Sequence, residues 1–284
     1  MPELPEVEVL VQHLRPLLRD QVIRKIDVRR RRVLRPTSVK QFKERMTGAR
    51  FMDISRRGKY LLFEMEPETA PRPQVLVGHL GMTGRMYLLP VETRWPKHAA
   101  VILQLAGRQL VFEDTRYFGR LTLDTAALAR LGPEPLETSA APESFLQALK
   151  RSRQAIKVKL LDQTTVAGVG NIYASEALFW AKIAPGVSAN RLSREQAQRL
   201  WLALREVLIR AIRTGSSVTL DFEGAGARDG LFYYGSTDGG GPDGEHFQVY
   251  DRKGQPCSRC GTLIKRIVQS ARSTFYCPGC QRRR

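Results

Sequence analysis

The sequence contains no apolar run long enough to span a membrane. It also lacks a basic amphipathic helix with an aromatic face, the pattern of a segment that lies on a membrane surface. The N-terminus carries acids where a secretory leader carries bases, so export is not expected. Cysteine is missing from the first 256 residues, which excludes a disulfide framework over most of the chain. Aromatic residues make up 8% and do not cluster on one face of the β-rich segments, against a single-strand binder built on stacking platforms. Acids are scarce as well. There are 28 Asp and Glu against 46 Lys and Arg, a net charge of +18 that ion pairing cannot absorb. Such a balance points to a polyanionic partner bound by phosphate neutralisation and counterion release. With a membrane set aside, nucleic acid is the expected partner, the alternative being a merely basic soluble protein. At 284 residues and 42% hydrophobic, the chain can bury a core and has room for two domains.

The cysteines that do occur are Cys257, Cys260, Cys277 and Cys280, two C-x2-C pairs separated by 16 residues. Tetrahedral zinc takes four thiolates delivered as close pairs from tight turns. Gly261 follows the first pair, and Pro278 and Gly279 fill the second, as such turns need. Two disulfides are the weaker alternative, because cysteines this close pair poorly within a C-x2-C. One structural zinc ion is therefore expected, with no open position for catalytic water.

Hydrophobic spacing predicts one early helix over Val7–Leu18, followed by about eight short strands. These are 22–28, 51–54, 60–65, 75–80, 85–89, 99–105, 109–113 and 121–123, a spacing that suggests a sandwich or barrel. Gly132-Pro133-Glu134-Pro135 marks a boundary. Beyond it the period turns helical, over 142–151, 158–161, 172–181 and 193–214. The last of these starts from a Ser193-Arg194-Glu195-Gln196 capping box. The predicted organisation is an α+β multidomain chain. Residues 1–132 form an N-terminal β-sandwich, 133–222 a helical domain, 223–248 a glycine-rich loop, and 249–284 a zinc-finger hairpin.

Two segments carry candidate chemistry. The start reads Met1-Pro2-Glu3-Leu4-Pro5-Glu6-Val7-Glu8, and a small residue at position 2 favours trimming of the initiator methionine. That trimming would leave Pro2 as a secondary amine of low basicity, able to add to a sugar carbon and form an iminium. Glu3 beside it is placed to move protons. The second segment runs Val166-Ala167-Gly168-Val169-Gly170-Asn171-Ile172-Tyr173-Ala174-Ser175-Glu176 between two short helices. Its glycines suit tight turns, and Asn171 is expected to cap the second helix. The helix-start N–H groups then offer an anion site for a DNA phosphate. A basic run of Lys150, Arg151, Arg153, Lys157 and Lys159 precedes it.

Together the Pro-Glu-Leu-Pro-Glu start, the Val169–Glu176 segment and the terminal four-cysteine finger resemble the formamidopyrimidine-DNA glycosylase family of bacterial base-excision repair enzymes. The likeness runs nearly end to end, with three independent motifs in order. It implies a helix–two-turn–helix domain, and it implies removal of oxidised purines (8-oxoguanine, formamidopyrimidines) from damaged double-stranded DNA. Pro2 would be the Schiff-base nucleophile and Glu3 the acid assisting base release and ring opening. Lys59 would serve β-elimination, and Arg272 phosphate binding and δ-elimination. Met82, Arg116 and Phe118 match the set that fills the hole left by a flipped base. His98 and Arg153 match phosphate contacts, and Lys157 and Asn171 join the DNA-binding set. Tyr117 stands where many members carry an arginine, and the 223–246 stretch is unusually long and glycine-rich. The alternatives are an endonuclease VIII-like glycosylase for oxidised pyrimidines and a non-catalytic lesion-binding zinc protein. No obligate protein partner is signalled, so a cytoplasmic, nucleoid-associated monomer is expected.

Overall fold

The computed structural model describes residues 2–68, 72–216 and 247–282. The glycine-rich loop expected at 223–248 lies outside them except for Phe247 and Gln248. Residue contacts divide the chain into two compact units. Among the described residues, one holds Pro2, Glu6–Ala129 and Ser216, and the other Glu3–Pro5, Arg130–Gly215 and 247–282.

The first unit is the expected sandwich. Helix α1 (Leu4–Leu18) leads into β1 (Lys25–Val28), a 3-10 turn (Arg31–Leu34) and α2 (Val39–Met46). Seven strands follow: β2 (Arg50–Arg57), β3 (Tyr60–Glu66), β4 (Gln74–His79), β5 (Gly84–Pro90), β6 (Ala99–Gln104), β7 (Arg108–Asp114) and β8 (Arg120–Thr122). They form two antiparallel four-stranded sheets, ordered β1-β6-β7-β5 and β2-β3-β4-β8. Alternation decides which face is buried. In β3, Leu61, Phe63 and Met65 point inward while Glu64 and Glu66 face water. They meet Met86, Leu88, Leu103 and Phe112 from the other sheet, and Leu10, Leu14 and Leu18 of α1 close the same core. Each such side chain contributes about 1.5–3 kcal/mol when fully buried. Hydrophobic periodicity does not reveal α2. It is eight residues long, buries only Phe42 and Met46, and is defined by its Ser38 cap, which accepts the Gln41 N–H.

The second unit carries α3 (Glu143–Lys150), α4 (Ile156–Leu160), α5 (Asn171–Trp180) and α6 (Arg194–Ser216). A hairpin of β9 (Lys265–Gln269) and β10 (Arg272–Tyr276) follows. The capping box forms as read, with Ser193 Oγ accepting from Gln196 N and Gln196 Oε1 from Ser193 N. The finger joins this unit through a core of Phe179, Val249, Ile264 and Phe275. Glu176 of α5, 2% exposed, accepts N–H bonds from Gln248, Val249 and Tyr250, each at 2.9 Å.

Replacing Glu176 with alanine strands three amide donors, a loss of about 3 kcal/mol or more. Denaturant unfolding should show that loss, with faster hydrogen exchange at 248–250. Unchanged exchange there would mean that the carboxylate does not hold the segment leading into the finger.

Candidate active site and nucleic-acid interface

In the second unit, the site is organised by the start of α5. Its first turn presents unsatisfied N–H groups, and the N-cap, Gly170, offers no side chain to meet them. Glu3 fills the gap. Its carboxylate accepts from Gly170 N at 2.7 Å, Ile172 N at 2.9 Å and Tyr173 N at 3.4 Å. Leu4 N donates to Gly168 O, which fixes the backbone beside it. A methyl group at Gly170 would overlap the Glu3 carboxylate, and Gly168 has a φ of +84° with Leu4 packed against it. Both glycines are therefore required by close approach of the N-terminal segment, and Gly168 also by its left-handed backbone.

This corrects the expectation for the helix start. The anion on those amides is the chain's own glutamate, and Asn171 is the first helical residue, with no capping bond. Asn171 bridges instead: Nδ2 donates to Ser273 O of β10 at 2.9 Å, and Oδ1 accepts from Lys157 Nζ at 2.7 Å. Lys157 is not a surface cation but 1% exposed. Burial pulls its pKa down to about 8, against the raising effect of Glu3 and with Arg272 lowering it further. Arg272 is exposed at the start of β10, after a two-residue turn of Ser270 and Ala271, both with left-handed φ. The second unit thus gathers Glu3, Lys157, Asn171 and Arg272. Arg153 is exposed, and its carbonyl accepts from Ser188 Oγ. Pro2, adjoining Glu3 in the chain, is buried.

In the first unit, Met82, Arg116 and Phe118 come together as read. Arg116 Nη1 lies 3.3 Å from Met82 Sδ, and its guanidinium sits 4.8 Å over the Phe118 ring. Met82 and Phe118 are 45% and 44% exposed, which separates them from core residues of the same type. The residue that assembles them is Asp114, which sequence reasoning missed. Its buried carboxylate accepts from Thr83 Oγ1, Arg116 N and Gly119 N, tying the Met82 loop to the Phe118 loop. The only hint is an acid ending a strand just before Thr115-Arg116-Tyr117-Phe118-Gly119.

Lys59 is 6% exposed beside the turn joining β2 and β3. Next to it lies His79, also missed, whose ring is 4.7 Å from that of Tyr60. His79 Nδ1 accepts the Gly81 N–H, one residue before Met82. Burial holds its pKa down at about 4, helped by the charges of Lys59 and Arg120. His98 is half-buried just before β6, and its carbonyl accepts from Asp114 N.

The four cysteine sulfurs lie within 4.8 Å of one another, with Cys260 3.5 Å from both Cys277 and Cys280 and Cys257 3.9 Å from Cys280. Zinc–sulfur bonds of about 2.3 Å place tetrahedral sulfurs roughly 3.8 Å apart. The residues fit one zinc ion held by Cys257, Cys260, Cys277 and Cys280.

Sandwich, helix–two-turn–helix and four-thiolate finger define a zinc-containing DNA-processing class. Three family models cover the chain in order. They describe the formamidopyrimidine-DNA glycosylase N-terminal domain at residues 1–121, its H2TH domain at 131–222, and a zinc finger found in FPG and IleRS at 254–283. Formamidopyrimidine-DNA glycosylase of Thermus thermophilus is 42% identical over 99% of this chain and 98% of its own. That of Chloroflexus aurantiacus is 41% identical over 99% and 98%. Lactococcus lactis Fpg in complex with abasic-site DNA superposes with a TM-score of 0.83, at 34% identity over 99% of this chain and 100% of that one. The chain belongs to the formamidopyrimidine-DNA glycosylase family.

Two outcomes follow. His79 binds fewer protons folded than unfolded, so its contribution is complete above pH 6.5 and is lost as pH falls through about 4. The loss is on the order of 3 kcal/mol, read as a falling melting temperature across that window, and His79→Gln should flatten it. Removal of zinc by a chelator should release one ion per chain and speed exchange in 257–280. Intact protection there would argue against a structural metal.

Proposed function

We propose that Pro2, once Met1 is removed, attacks C1′ of a damaged nucleotide, with Glu3 as its proton carrier. The chain is a base-excision repair DNA glycosylase, and cleavage at abasic sites is general to its family. The observation that carries the assignment of residues is the seat of Glu3. Three amide donors hold its carboxylate in one position immediately after Pro2, as a proton carrier next to a reacting amine requires.

The Pro2 nitrogen lone pair forms the bond to C1′, and the glycosidic electrons leave with the base. Glu3 supplies a proton to the ring oxygen as the sugar opens, giving an iminium. The iminium acidifies C2′–H, and loss of that proton expels the 3′ phosphate. Lys59 assists this elimination, and Arg272 binds the 5′ phosphate for the second one. Lys157 and Asn171 act from behind, holding the β10 backbone that carries Arg272. Met82, Arg116 and Phe118 fill the vacated stack, and His98 and Arg153 meet phosphates further out. Zinc, when bound, fixes the finger and takes no part in bond breaking.

In this reading residues 1–132 supply the catalytic sandwich, 133–222 and 249–284 grip DNA, and 223–248 covers the flipped base. The protein acts as a monomer on the chromosome. Oxidised purines are the primary substrates. Lactococcus lactis Fpg has been solved with DNA containing Fapy-dG and also with DNA containing an oxidised pyrimidine, so both lesions belong in the test.

Incubation with an 8-oxoguanine:cytosine duplex and borohydride should give a covalent adduct whose mass maps to Pro2, with Met1 absent. Glu3→Gln should lower single-turnover base release by about 100-fold or more. No adduct with either lesion, on protein confirmed to lack Met1, would exclude the amine mechanism.

A further inference from the structure

The densest charge in the chain has no part in the chemistry above. Arg29, Arg30, Arg31, Arg32 and Arg35 fall within seven residues, and all are exposed. None of them forms an ion pair among the described residues. Their backbone is nevertheless firmly set. Arg29 N and Arg30 N both donate to Ala100 O, at 2.9 and 3.1 Å. Val33 and Leu34 are buried in the sandwich core, and Thr37 Oγ1 meets Thr122 Oγ1 at 2.8 Å.

Three of the guanidiniums rest on aromatic rings: Arg29 over Trp95 at 5.6 Å, Arg30 over Tyr117 at 5.2 Å, and Arg32 over Phe118 at 6.0 Å. A ring face attracts a cation through its quadrupole and holds it in place without neutralising it. A carboxylate would position the arginine and cancel its charge together. Tyr117 also has a φ of +52°, a conformation rare for a bulky residue. A cavity of about 520 Å³, walled by Arg29–Arg32, Val39 and Tyr117, has room for a phosphodiester group.

We propose that Arg30, Arg31 and Arg32 form a phosphate grip that clamps the DNA backbone beside the base step where Phe118 inserts. The inference rests on the reading of Phe118 as a wedge. The cations pack against its turn: Arg32 and Arg116 both lie over the Phe118 ring, and Arg30 covers its neighbour Tyr117. Phosphate bound here holds the strand while the ring enters the stack. Without DNA the crowded like charges repel, so the free protein gives up stability for the grip.

The test is duplex affinity against salt for wild type, R30Q/R31Q and R30K/R31K, with melting temperatures of the free proteins at low salt. The glutamine pair should make the log–log salt slope shallower by about 2 and raise the melting temperature. The lysine pair should restore the slope. An unchanged slope, or a lowered melting temperature with unchanged slope, would show that the run only props the sandwich and overturns the proposal. Borohydride trapping of the wild type is run alongside. A missing adduct defeats the Pro2 chemistry, whereas an adduct with an unchanged slope defeats the arginine grip alone.

Discussion

The seat of Glu3 on the first turn of α5 is the constraint from which the site is built. A helix start exposes amide donors and the positive end of the helix dipole. Gly170 leaves them uncapped, and a carboxylate 167 residues earlier in the chain takes them. Helix geometry thereby fixes the position of an acid in the N-terminal segment. It also explains why Gly168 and Gly170 are needed, since side chains at either would push out Leu4 or Glu3. The first turn that could have bound an external phosphate is satisfied internally, and Asn171 is released to tie Lys157 to the strand that carries Arg272.

The same device recurs. In a chain with 28 acids and a net charge of +18, several carboxylates are used on backbone amides and local hydroxyls. Asp114 binds the loops that bear Met82 and Phe118. Glu176 binds the backbone entering the finger. Asp162 accepts from Thr164 N and from the Thr164 and Thr165 hydroxyls, though it also meets Lys159. A charged acceptor gives stronger hydrogen bonds than a neutral one, so a few acids can stiffen the functional loops. The exposed arginines at 29–32 and 35 form no ion pair among the described residues, as binding to a polyanion requires.

The sequence by itself determined what local chemistry can encode. Short β-rich runs bounded by turn residues specified the eight strands to within a few residues, because turn residues interrupt the pairing a strand needs. The capping box placed the start of α6, and the paired C-x2-C spacing named the metal. The Met82, Arg116 and Phe118 cluster was legible through its motifs. Contacts between distant segments were not. Only tertiary structure decided that Glu3 occupies the α5 start, that Lys157 is buried, that Asp114 joins two loops, and that His79 supports the turn before Met82. The short helix α2 escaped for a related reason, since two buried residues in eight leave too little periodicity to detect. Each of these depends on which backbone amides find no partner nearby, and that is settled only when the whole chain has packed.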